Sequence, residues 1–213
     1  MNLQALSLPA IGLLVLTSAS LLVIRDWRIR IILLALQYVG VFVLVAISWP
    51  VVMALTKVLA GWMAGAILGM AVAGIPQLGP AAMISTAVPG EGDRVYPIGS
   101  GRFFHIFYLP VALLVLLAAF SLAPTAQSWI PGLTLEQALG SFLLIFMGTI
   151  QLCFAVRPFG TLIGLLTVLS GFEILYAAVE SSILVAGFLA GITLGLALIG
   201  AYLIVAPYIE SPE

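Results

Sequence analysis

The residues able to do chemistry are few, and they sit in unusual surroundings. Lys57 lies six residues inside the apolar stretch that begins at Val51. Glu173 lies seven residues before Glu180, inside a second apolar stretch. A charge in hydrocarbon costs several kcal/mol, so an ionisable side chain there is a functional candidate by default. At 1.5 Å per helical residue, Lys57 sits about 9 Å and Glu173 about 10 Å from the same membrane surface. The matched depths lead us to expect an intramembrane ion pair. The alternative has the lysine snorkelling outward and the glutamate protonated. Glu180, two turns from Glu173, falls near the same helical face, with Ser170 and Tyr176 flanking it. Such a stripe suits proton relay; a solvated turn glutamate is the plainer reading.

These residues need elements to hold them, and composition dictates the elements. Of the 213 residues, 63% are hydrophobic and 7% charged, against roughly 25% charged in a soluble domain. Mean hydropathy is +1.29. Seven basic and eight acidic residues cannot coat a soluble surface, so a soluble enzyme, a disordered chain and a nucleic-acid binder are excluded. The formal net charge of -1 gives no hint of an anionic partner. One cysteine, Cys153, and one histidine, His105, exclude a disulfide framework and a multi-ligand metal site within the chain. Cys153 reads as an apolar packing residue. No P-loop, dinucleotide fingerprint or nucleophile with its base is present, so we expect no cofactor and no catalytic constellation.

A helical span needs about 20 apolar residues. The sequence predicts an all-α, polytopic transmembrane bundle in a single domain. Its seven spans lie near 8–24, 29–48, 51–75, 104–123, 135–156, 159–179 and 183–206, with a loop over 76–103 and a second over 124–134. The block from Phe159 to Ala206 is too long for one span and divides at Glu180-Ser181-Ser182. With seven spans, Arg25, Arg28, Arg30, Arg94, Arg102 and Arg157 all fall on one side. The positive-inside rule then places the amino terminus outside and the acidic tail in the cytoplasm of a bacterial-type inner membrane.

Gly61, Gly65 and Gly69 in span three, and Gly187, Gly191 and Gly195 in span seven, recur every fourth residue. Such stripes let helix backbones approach. They serve either packing within the bundle or a partner subunit. Gln37 and Gln151 read as interhelical hydrogen-bonding residues, and Glu136 as a helix-opening residue.

Two stretches look alike. Leu16 to Gly40 and Thr149 to Ala177 each run from an apolar helix through an arginine turn into a helix carrying an amide or carboxylate. The segment Gly171-Phe172-Glu173-Ile174-Leu175-Tyr176-Ala177-Ala178, after such a turn, resembles subunit K of respiratory complex I, which carries a glutamate in a Gly-Leu-Glu-type motif. The whole layout resembles component E of formate-hydrogenlyase-type membrane hydrogenases, where a lysine also sits in an early helix and a polar motif sits near the place of Ser170-Gly171. The resemblance implies a non-catalytic membrane subunit of an oxidoreductase assembly. It would lie beside antiporter-like or other membrane subunits and contribute to proton or cation translocation, with Glu173 as the carried-over carboxylate. The second glutamate of subunit K has no counterpart in span seven, which holds Gly191 and Thr193 in that region. Other readings of the residues are a stand-alone carrier of small solutes or lipids, and a structural scaffold.

Overall fold

In the computed structural model, residues 3–75 and 102–209 are described. Their apolar runs form seven helices: α1 (Leu3–Val23), α2 (Trp27–Val45), α3 (Val51–Ala73), α4 (Arg102–Trp129), α5 (Leu135–Phe154), α6 (Pro158–Val179) and α7 (Ile183–Ile209). All seven are long and apolar enough to cross a membrane, so the described chain is an integral membrane helix bundle. The expected loop around Glu91, Asp93 and Arg94 and the acidic tail lie outside the described residues.

Local chemistry sets the ends. Asp26 caps α2 by accepting the Arg28 amide at 2.9 Å. Thr134 and Gln137 form a reciprocal capping box on α5. Pro158 opens α6, where its missing N–H costs nothing. The division of the long apolar block falls between Val179 and Ile183.

The helix end that differs most from expectation is that of α4, while α1 begins at Leu3 rather than near residue 8. Residues 124–129 belong to α4, which runs through both Pro110 and Pro124 to Trp129. Proline in a membrane helix frees a backbone carbonyl from its helical hydrogen bond, and the defect is tolerated where neighbouring helices, side chains or local helix adjustments re-satisfy that group. The true connection is residues 130–134. There Gly132 takes φ +87, a left-handed conformation that favours glycine.

The helices form a ladder. Consecutive helices pack as α1–α2–α3 and as α5–α6–α7, and across the ladder α1 meets α5, α2 meets α6 and α3 meets α7. Helix α4 covers the end formed by α1 and α5. Two hydrogen bonds share one register: Gln151 Nε2 donates to the Ser18 carbonyl and Gln37 Nε2 to Ser170 Oγ, and each pair is 133 residues apart. The two similar hairpins therefore stand side by side and run in the same direction.

The closest approach is between α5 and α6. A Cβ at Gly171 would lie 2.8 Å from the Ser141 carbonyl oxygen, and one at Gly148 2.9 Å from the Gly164 carbonyl oxygen. The core lies between the layers, with Leu14, Val41, Leu44, Leu143, Leu144 and Ile174 fully or almost fully buried.

Candidate functional site

Helix α3 presents Ala54, Lys57, Gly61, Ala64 and Leu68 to the bundle, a stripe at spacings of three and four. Lys57 is the only charged member. Helix α6 runs antiparallel and brings Glu173 to the same height. Lys57 Nζ donates to Glu173 Oε1 at 2.8 Å. Both residues are 1% exposed, so the pair is sealed from lipid and from water.

Three further helices or turns complete its surroundings. The Trp49 ring, in the α2–α3 turn, lies 5.8 Å from Lys57 Nζ, a cation–π distance. Its indole N–H donates to the Glu180 carbonyl at 2.7 Å, which fastens the turn to the end of α6. Tyr38 of α2 lies flat against α3 at Gly61. Any Cβ at Gly61 would collide with Cγ, Cδ1 and Cδ2 of the tyrosine ring. The Thr193 hydroxyl of α7, beside Glu173 and Tyr38, donates to the Leu189 carbonyl at 3.0 Å. On the adjacent turn of α6, the Gln37 amide donates to Ser170 Oγ at 3.4 Å, and Ser170 donates to the Thr167 carbonyl at 2.8 Å.

The polar cluster is not fully satisfied. Glu173 Oε2, the Tyr38 hydroxyl and Gln37 Oε1 are buried and make no hydrogen bond. A buried ion pair stays ionised only when its attraction offsets desolvation, and a spare carboxylate oxygen weakens that balance. The arrangement can therefore hold a fixed internal charge pair, or exchange a proton at Glu173 Oε2. The amide of Gln37 does not titrate and can only orient.

Lys57, Glu173, Ser170 and Gly61 are thus brought together. Glu180 is not part of the cluster. It is the C-cap of α6 with an extended backbone, its side chain is exposed, and only its carbonyl takes part. Leaving the helix at that residue breaks the face that seven-residue spacing implies. Gly65 and Gly69 face Ile31 of α2. None of the described residues approaches within 4 Å of a Cβ placed at Gly187, Gly191 or Gly195, so among the described residues that stripe packs against no neighbouring helix. Helix α7 instead buries Ala186, Leu189, Thr193 and Ala197. Cys153 is exposed rather than packed. Among the described residues no group of three metal-ligating side chains forms.

Sequence reasoning missed Tyr38, Trp49 as a cover, Thr193 and Gln137. Gln137 Nε2 donates to the Leu44 carbonyl at 3.0 Å and to Ser48 Oγ at 2.9 Å, so the cap of α5 also ties down the end of α2. A signal for Tyr38 existed in its position beside Gln37, a second polar residue inside the same apolar run.

Compared with known proteins, the chain matches no family model, and no curated protein or solved structure is significantly similar to it.

Proposed function

We propose that the chain is a non-catalytic membrane subunit of a complex I-like or hydrogenase-like assembly and contributes to its proton- or cation-translocating membrane arm. The observation that carries this reading is the sealed Lys57–Glu173 pair at 2.8 Å with an unengaged carboxylate oxygen beside Tyr38. Intramembrane ionisable pairs with polar company mark ion pathways. The resemblance of the segment around Glu173 to subunit K supports the same reading. In this account the protein lies in a bacterial-type cytoplasmic membrane, with the amino terminus outside and the carboxyl terminus inside, because the described arginines, Arg25, Arg28, Arg30, Arg102 and Arg157, belong to one end of the helices.

A second reading has an observation behind it. The pair is closed off by Trp49 and buried to 1% exposure, which suits a structural lock. One experiment separates the two. The tagged full chain is purified from its native membrane in mild detergent, and proton uptake is followed in vesicles carrying wild type or Glu173→Gln. The proposal expects co-purifying antiporter-like subunits and reduced proton coupling in an assembled variant. An assembled variant with unchanged coupling makes the pair a lock. A stable chain without partners overturns the subunit reading.

A further inference from the structure

The overall charge of -1 conceals a strong segregation. Arg25, Arg28 and Arg30 belong to the α1–α2 turn and the start of α2, and Arg157 to the α5–α6 turn. The ladder brings these turns together. The Arg30 guanidinium lies over the Phe159 ring at 5.7 Å, and Arg30 Nη1 is 3.6 Å from where a Cβ of Gly160 would stand. Arg30 thus reaches from α2 to the start of α6, beside Arg157. Asp26 is the acidic residue within these turns, and it is engaged in capping α2. Among the described residues Arg28, Arg30 and Arg157 form no salt bridge. Arg30 Nε is buried without a hydrogen bond. The described acidic residues outside the pair and Asp26, Glu136 and Glu180, belong to the opposite end of the bundle.

The apolar surface of α2 below Arg28 has a matching form. Arg28, Ile32 and Leu36 follow one another at intervals of four and are all exposed, Ile32 to 60%. A cationic head above a continuous apolar lane is the complement of a lipid with an anionic headgroup. We infer that Arg28, Arg30 and Arg157 form a headgroup clamp for an anionic phospholipid, whose acyl chain lies along Ile32 and Leu36. Arginine suits the task because its planar fork meets phosphate oxygens in pairs. The lane along α2 favours a lipid over free phosphate, which would use the arginines alone.

The purified full chain is exchanged into vesicles of equal phosphatidylglycerol and phosphatidylcholine, extracted, and its retained lipid counted by native mass spectrometry. Each arginine near an anionic headgroup favours it by about five-fold. Wild type is expected to retain phosphatidylglycerol in clear excess. Arg28→Gln, an exposed change outside the core, is expected to cut that excess about five-fold, and the triple Arg28→Gln/Arg30→Gln/Arg157→Gln to abolish it. The corresponding triple lysine variant keeps the charge and is expected to keep most of the preference. Equal retention of the two lipids by wild type overturns the inference. So does an undiminished preference in Arg28→Gln. Displacement of the lipid by inorganic phosphate would overturn the lipid assignment and leave free phosphate as the ligand.

Discussion

Trp49 and Lys57 stand 5.8 Å apart, ring to ammonium, and the same indole is pinned by its N–H to the Glu180 carbonyl. One side chain therefore both covers the buried cation and joins the α2–α3 turn to the α6–α7 turn. The two functions can be separated by substitution. Trp49→Phe keeps a ring but loses the hydrogen bond, and is expected to cost about 1 kcal/mol. Trp49→Leu also loses the cation–π contact and is expected to cost about a further 1 kcal/mol. Unfolding in detergent, followed by the remaining tryptophans, gives both values. Equal stability of the two variants would remove the contact between ring and ammonium from the account.

The ion pair itself predicts non-additivity. Neutralising one partner leaves the other charge buried alone, at an expected cost of about 3–5 kcal/mol. Lys57→Met and Glu173→Met should each be destabilised by that order. The double variant Lys57→Met/Glu173→Met, with no charge to bury, should be much closer to wild type. A double-mutant cycle on unfolding free energies checks this, and additive losses would contradict it.

The glycines predict opposite responses to one methyl group. At Gly61 a Cβ collides with the Tyr38 ring, so Gly61→Ala should cost about 1–3 kcal/mol from overpacking. At Gly191 a Cβ meets no atom of the described residues within 4 Å. Gly191→Ala should leave the purified chain unchanged or raise its stability by up to about 1 kcal/mol, through helix propensity. Thermal unfolding of both variants gives the comparison.

Gln137 is expected to act far beyond its own helix. Its side chain closes the capping box and bonds to both Leu44 and Ser48. Gln137→Leu should cost about 2–3 kcal/mol, because it leaves a buried carbonyl and the first turn of α5 short of partners. Hydrogen exchange should rise at the start of α5 and at the end of α2 together. A rise confined to α5 would mean that the bonds to α2 contribute little.

The helices were legible because each is an apolar run of membrane length bounded by charge or by a turn. The break at Glu180 was legible for the same reason. The extent of α4 was not, since proline is a reliable stop in water but a tolerated residue in lipid. Lys57 and Glu173 stood out because ionisable residues are conspicuous in an apolar chain, and helical rise gave their depth. Tyr38, Trp49 and Thr193 did not, because their types are ordinary in membrane helices and only the ladder places them around the pair. The glycine stripes have equal spacing in α3 and α7. Which one packs internally depends on the neighbour that faces it, and spacing carries no record of that.

Opposite charges meet at one depth inside the bundle, and exchanging them tests that pairing directly. The amount of folded protein recovered from the membrane is measured for Lys57→Glu, Glu173→Lys and the two together. Each single reversal buries two like charges in place of a pair that now meets at 2.8 Å and should sharply reduce folded protein, while the double reversal should recover a large part of it. A double variant no better than either single one would contradict the pair as the organising element of the site.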